Sequence, residues 1–394
     1  MKICFVIQRY GKEVNGGADQ LCLQLAERLL RAHKGEDYSV DVLTTKAIDY
    51  ITWKNEYEND FEVINGVNVH RFGVQYERHT WLFNKINKLY LMGILPSFMH
   101  DLWLKLQGPY VPSLVKYIRD KKDEYDVFVF ITYLYYPIVK GIAEVKEKSI
   151  LLPLAHDEPY LNLSCIKPIF SQARGLFYET PEEKELVCSR FTGLSEDYAF
   201  GGAGVDLPSN VDGARFKEKY GVSDYIIYAG RIDTGKNCEE LFEFFIRYKE
   251  SHPGDLKLVL LGKNIIEIPD RVDIVYPGFV SEEDKFDAYA GAKALVLPSK
   301  FESLSIVVLE SLSLGRPVLV NDACEVLRGH IKRSEAGFTY KDYDEFERNL
   351  HTLVSDDDLN ESMGLKGKEY VDKYYTWDTI IGNLSGLIEV VRRK

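Results

Sequence analysis

The sequence predicts an α/β protein of two domains, each a parallel sheet covered by helices, with a helical segment inserted in the first. Three observations lead there. Short β-branched or aromatic runs alternate with helix-length amphipathic segments along the chain. The alternation occurs in two series, and a stretch dense in glycine, proline and turn formers, GGAGVDLPSNVDG, lies between them. The length, 394 residues at 45% hydrophobic and 28% charged, is enough for two full cores.

In the first series the expected strands are KICFVIQ, SVDVLTT, DVFVFITYLY, SILLPLA and ARGLFYE, with ADQLCLQLAERLLRAHKG as the first helix. In the second they are DYIIYAG, LKLVLLG, VDIVYPG, ALVLPS and PVLVND. The boundary is placed near residue 210, giving domains 1–210 and 211–376. The tail 377–394, WDTIIGNLSGLIEVVRRK, reads as a closing amphipathic helix whose basic C-terminal end suits the helix dipole, and it is a candidate to pack back on the first domain.

Residues 80–122 break the pattern. They carry seven basic and two acidic side chains in a chain of net charge −12, together with Trp81, Phe83, Phe98 and Trp103. Cations and aromatics of this kind suit peripheral contact with an anionic membrane surface near a lipid-linked substrate. The alternative, which is preferred, is an inserted helical pair whose apolar side packs on the first domain.

The composition also excludes functions. An acidic chain offers no global field to attract nucleic acid. The opening MKICFVIQRY has too brief an apolar run for a signal peptide. The longest apolar stretch, LYLMGILPSFM, is far short of the ~20 residues that span a bilayer and contains Pro96. Six scattered cysteines without a CxxC indicate neither a zinc site nor redox pairing, and a reducing cytoplasm suits them.

Ligands of doubly wound units bind beyond the carboxyl ends of the strands, so the loops that follow the strands hold the candidate chemistry. After DYIIYAG, Arg231 and Lys236 flank a turn in which Gly230 and Gly235 permit close backbone approach. Such a cation pair suits a diphosphate, and the alternative is a solvated surface loop. After ALVLPS comes an apolar helix expected from Ser303, as N-cap, to Gly315 and Pro317. Glu310 in its interior requires donors if buried, and ribose hydroxyls or an internal salt bridge would supply them. The free amides at the helix start, around Leu304, Ser305 and Ile306, would hold a diphosphate about 10 Å from Glu310. Glu302 would then point toward the transferred group. In the first half, His156 and Asp157 follow SILLPLA, and Asn15-Gly16-Gly17-Ala18-Asp19 joins the first strand to the first helix. A glycine turn there serves an anion or a helix cap equally. Asp356-Asp357-Asp358 reads as a helix start rather than a divalent-metal motif.

In combination, YAGRIDTGKN, LKLVLLG, VYPGFVSEEDKFDAYAGAKALVLPS and FESLSIVVLESLSLGRPVLV resemble retaining glycosyltransferases of family 4, which have the GT-B fold of two Rossmann-like domains. Looser pieces (NGGADQ, LAHDEPY, FYETPEEKELV, GVD, YYTWD) extend the resemblance over most of the chain. It implies that Glu302 contacts donor sugar and Glu310 the ribose, that Arg231 and Lys236 hold the donor diphosphate, and that His156 lies near the donor sugar. It also implicates Gly16 and Gly17 in donor binding and Phe279 as a wall for the nucleobase. Relatives commonly have Glu-Gly-Phe-Gly where this chain has Glu302-Ser303-Leu304-Ser305, which bears on donor choice. The Thr-x-x-Gly-Gly-x-x-Glu element appears only as Asn321-Asp-Ala-Cys324-Glu325.

The implied function is a metal-independent hexosyltransferase that moves a sugar, with retention, from a nucleoside diphosphate to a hydroxyl of a glycan or lipid-linked acceptor in surface polysaccharide synthesis. No cofactor, metal or nucleic acid is expected. A silent sugar-binding subunit, or a nucleotide-sugar epimerase of the same architecture, is the alternative.

Overall fold

The computed structural model describes residues 1–393. Contacts divide the chain into two compact units: Met1–Gly202 with the end of the chain from Ile380, and Ala203–Thr379. The division therefore falls before the expected residue 210. The first glycines of the connecting stretch are packed rather than loose: a Cβ on Gly201 would lie 2.5 Å from the Phe177 ring, and one on Gly204 2.7 Å from that of Trp377.

The first unit runs β1 (Lys2–Val6), α1 (Gly17–Ala32), β2 (Ser39–Thr45), β3 (Phe61–Ile64), β4 (Val67–Phe72), α2 (Thr80–Leu91), α3 (His100–Gln107), α4 (Pro112–Lys121), β5 (Val127–Ile131), α5 (Tyr136–Ile142), β6 (Ser149–Leu152), α6 (Lys167–Gln172), β7 (Gly175–Tyr178), α7 (Pro181–Arg190) and β8 (Tyr198–Phe200). Its sheet has the order β3-β4-β2-β1-β5-β6-β7-β8, parallel except for the antiparallel edge strand β3. The central β5, VFVFI, is buried at every position, as a strand covered on both faces must be. The β3–β4 hairpin was not among the expected strands, although its signal is present. Asn65 and Gly66 both take positive φ, 49° and 90°, the Asn-Gly turn that matches hairpin twist.

The inserted segment 80–122 is helical. Phe83, Ile86 and Tyr90 of α2 pack on the core of this unit, and Trp103 of α3 is fully buried. The packing reading accounts for that side only, since Trp81 and Phe98 stand 69% and 82% exposed.

The second unit runs α8 (Gly213–Tyr220), β9 (Tyr225–Ala229), α9 (Cys238–Ser251), β10 (Lys257–Leu261), β11 (Ile274–Gly278), α10 (Glu282–Gly291), β12 (Ala294–Leu297), α11 (Ile306–Ser313), β13 (Val318–Asn321), α12 (Glu325–Ser334), β14 (Gly337–Tyr340), α13 (Tyr343–Ser355) and α14 (Asp357–Tyr374). Its six parallel strands are ordered β11-β10-β9-β12-β13-β14. The order reverses between β9 and β12, the arrangement of a doubly wound Rossmann-like sheet. Asp356 caps α14 by accepting from the Leu359 amide, and Asp357 pairs with Lys293 at 2.6 Å, so the acidic run opens a helix. The closing helix α15 (Trp377–Arg393) has Ile380 onward in the first unit, where Leu387 and Val391 pack beside Gly175. Among the described residues no helix is long and apolar enough to cross a membrane, and all six cysteines are unpaired.

Candidate functional site

In the second unit the strand order directs the loops after β9 and β12 to the same switch point, and two contacts join them. Lys236 Nζ donates to Glu302 Oε1 at 2.7 Å, and Asn237 Nδ2 to the Pro298 carbonyl at 3.2 Å. These residues are 66 and 61 positions apart in sequence. The β9 loop is shaped by Asp233. One of its carboxylate oxygens accepts from the Lys236 amide at 2.8 Å, and the other lies 3.5 Å from Arg231 Nη1. Tyr228 donates to the Arg231 carbonyl at 2.6 Å, which fixes the backbone while the guanidinium stays 65% exposed. Gly262 approaches this loop so closely that a Cβ there would sit 2.0 Å from the Gly230 carbonyl oxygen.

The β12 loop differs from expectation. Ser303 does not cap α11, which begins at Ile306. The N-cap position falls on Ser305, whose backbone is left-handed at φ 63° and whose side chain makes no capping bond. The turn before the helix is held from behind. His330 Nε2 lies 2.8 Å from the Leu304 carbonyl, its Nδ1 is 3.0 Å from the Tyr370 hydroxyl, and burial pushes its pKa down to about 4, so the ring is neutral. Nε2–H then donates to Leu304 and Nδ1 accepts from Tyr370. Only Ile306 to Glu310 therefore share one helical face, and the seven-residue register from Ser303 does not hold. The Leu304 side chain is buried in the core, so outside the core this residue can offer only its backbone. The Ser299 and Ser305 hydroxyls are buried without a hydrogen-bond partner among the described residues.

Glu310 is buried, as its apolar helix demands, but its donors are protein groups. Lys285 Nζ lies 2.9 Å from Oε1 and the Tyr289 hydroxyl 3.2 Å from Oε2. The internal salt bridge is therefore the observed arrangement, and burial alone no longer argues for ribose. A carboxylate accepts at about four sites, which leaves two open. Burial raises the Glu310 pKa against the pull of Lys285, and that of Lys285 is raised because Glu310 and Glu282 outweigh its own desolvation. Phe279 follows Gly278 at the carboxyl end of β11, its ring 88% exposed.

Three expected residues lie in the first unit. Gly16 is the N-cap of α1, where a Cβ would fall 2.2 Å from Asp19 Oδ2, which Arg9 holds in place. Gly17 has open space in front of it. His156 is exposed in the loop after β6, and that loop is anchored by Glu183, which accepts from the Ala155 and Glu179 amides at 2.6 Å each. Burial and the neighbouring Glu179 raise the Glu183 pKa to about 8.

Residues 214–370 match the family model of Glycosyl transferases group 1. The matched span lies within the second unit. Over its whole length the chain is similar to an uncharacterised glycosyltransferase of Methanocaldococcus jannaschii, 27% identical and covering 96% of each chain. A shorter match, 24% identical over 45% of this chain and 50% of the relative, is to the capsular polysaccharide biosynthesis glycosyltransferase CapM of Staphylococcus aureus. Among solved structures, HepE of Anabaena in complex with UDP superposes with a TM-score of 0.70 at 15% identity, covering 99% of this chain and all of that one. Sucrose-phosphate synthase of Thermosynechococcus elongatus gives 0.68 at 15% identity, covering 99% and 98%. These likenesses give the GT-B fold of two Rossmann-like units.

Sequence reasoning missed Asp233, Lys285, Tyr289, His330 and Glu183, which position the others. Two signals were available. Lys285 and Tyr289 are four apart on one face of α10, and Thr180-Pro-Glu-Glu183 is a capping-box spacing, with Thr180 Oγ1 accepting from the Glu183 amide.

Proposed function

We propose that the chain is a retaining, metal-independent hexosyltransferase of family 4, carrying a sugar from a nucleoside diphosphate to a hydroxyl of a glycan or lipid-linked acceptor in surface polysaccharide synthesis, in a reducing compartment. The observation that carries this reading is the Lys236–Glu302 contact at the switch point, directly before α11. A phosphate is a stronger partner for an ammonium than a carboxylate already served by sugar hydroxyls. When donor enters, Lys236 exchanges Glu302 for the diphosphate, and Glu302 turns to the hydroxyls of the sugar. Arg231, exposed and only loosely tied to Asp233, joins Lys236 on the departing diphosphate, with the amides of Leu304, Ser305 and Ile306 beside them. Glu310 receives ribose hydroxyls on its open lone pairs, and the exposed Phe279 ring stacks on the base. Retention places the acceptor on the face the diphosphate leaves, so a diphosphate oxygen takes the acceptor proton. The family resemblance assigns His156, too, to the donor sugar. Two similar structures, HepE of Anabaena with UDP and glucose and an E. coli protein bound with UDP-2-fluoro glucose, support a nucleoside diphosphate sugar as donor.

The test begins with thermal shifts against UDP, GDP and ADP and their sugars, followed by slow donor hydrolysis with and without EDTA. Arg231→Ala and Lys236→Ala should each lower turnover by about 10²–10³-fold while leaving the melting temperature near wild type. Unchanged turnover in both variants refutes the electrostatic role. Binding without hydrolysis or transfer would instead assign a silent sugar-binding subunit, to which the two serines at 303 and 305 would be the clue.

A further inference from the structure

The α2 helix has two apolar sides and only one is used. Phe83, Ile86 and Tyr90 face the core of the first unit, with Asn87 beside them bonding Tyr160 and Trp103. At 100° per residue these four share one half of the helix. The opposite half carries Trp81, Leu82, Lys85, Lys88 and Leu89, and the chain continues past the helix through Leu91, Met92, Ile94 and Phe98. All seven large apolar residues among these are exposed. No residue of α2 is buried. Exposed single apolar residues are ordinary, but seven within 18 positions form a continuous apolar surface that solvent contact alone does not explain.

The charges on this surface have one sign. From Arg78 to His100 the sequence has three cations, Arg78, Lys85 and Lys88, and no carboxylate, in a chain of net charge −12. Lys85 Nζ lies 3.8 Å above the Trp81 ring, so its stem runs along apolar surface with the ammonium at the rim. Arg78, at the foot of α2, spends two guanidinium nitrogens on the Gln107 carbonyl and lies over the Trp53 and Phe83 rings, with no carboxylate partner among the described residues. An exposed tryptophan, aliphatic side chains and lysines interleaved without acids are the chemistry of a helix lying in the headgroup region of an anionic bilayer.

We propose that the outer side of α2 and the turn after it, residues 81–98, dock on an anionic lipid surface. Trp81, Leu89, Met92 and Phe98 enter the interface, and Lys85 and Lys88 engage the headgroups. This goes beyond the proposed transfer reaction and does not depend on it.

The test uses the full chain and vesicles, with no sugar present. Trp81 is the only exposed tryptophan, as Trp53, Trp103 and Trp377 are all buried, so its fluorescence reports the docked side. Vesicles of phosphatidylcholine with about a third phosphatidylglycerol should co-sediment the protein and shift its emission to the blue. Pure phosphatidylcholine should bind it far more weakly. Each lysine near such a surface is worth about fivefold, so Lys85→Ser with Lys88→Ser should weaken partitioning about thirtyfold. Leu89→Asp with Met92→Asp, at positions exposed in the fold, should abolish it with the melting temperature unchanged. Absence of binding to anionic vesicles, or binding that survives both pairs of substitutions, overturns the proposal. So does self-association in ultracentrifugation that Leu89→Asp with Met92→Asp disperses, because the same side would then be covered by a second copy of the chain.

Discussion

Replacing Lys285 by methionine tests whether Glu310 is held ready for ribose by a buried ion pair. The substitution keeps the apolar stem and removes the ammonium 2.9 Å from Oε1, leaving the Tyr289 hydroxyl as the remaining donor at 3.2 Å. Breaking a fully buried pair costs about 3–5 kcal/mol, because one charge is left without a partner. Here Glu310 is 8% exposed and the Lys285 side chain 21%, so some water reaches the pair and about 2 kcal/mol is expected at pH 8. For a unit of this size that corresponds to a melting temperature lower by roughly 4–8 °C. The pH dependence has a definite sign. Burial already raises the Glu310 pKa, and loss of Lys285 raises it further. A carboxyl whose folded pKa lies above its unfolded value favours folding at low pH and loses that contribution as pH rises through the folded value. The deficit should therefore be smaller at pH 5 than at pH 8, because a falling pH favours the protonated carboxyl. Urea unfolding of both proteins at pH 5 and pH 8 measures this directly. Adding Glu310→Gln to the variant should recover most of the loss at pH 8, since no buried charge then remains. If Lys285→Met unfolds within 0.5 kcal/mol of wild type at pH 8, the pair is not what holds Glu310, and the reasoning fails.

Two further predictions concern the loops. Ser305 holds a left-handed backbone that costs a residue with a Cβ about 1–2 kcal/mol, while glycine adds back part of that as unfolded-state entropy. Ser305→Gly should thus stabilise the protein by about 0.5–1 kcal/mol in denaturant unfolding, and an equal loss would show that the serine side chain contributes packing instead. Glu183, its pKa raised to about 8, should make the wild type lose stability as pH climbs from about 4.5 through 8, and Glu183→Gln should remove that share of the slope. Identical slopes in the two proteins would mean that the anchor of the His156 loop is ionised in the fold.

What the sequence determined by itself was whatever local periodicity and turn chemistry encode. The alternating strands and helices, five of the second unit's six strands, the packed side of the inserted segment and the acidic start of α14 were all legible, because each depends on residues a few positions apart. The likeness of four ordered motifs picked out Arg231, Lys236, Glu302 and Glu310 before any contact was known. The β3–β4 hairpin was legible too, in Asn65-Gly66, and was overlooked.

Tertiary structure decided the partners. Lys236 meets Glu302 across 66 residues only because the order of strands reverses between β9 and β12, and no spacing in the chain records that reversal. The start of α11 moved to Ile306 because His330, on α12, fixes the Leu304 carbonyl. Glu310 found its donors on α10 rather than having to wait for a ligand. Which apolar residues of α2 would remain exposed also depended on the fold, since hydrophobicity marks the residues that prefer burial, while the core has room for only one side of the helix.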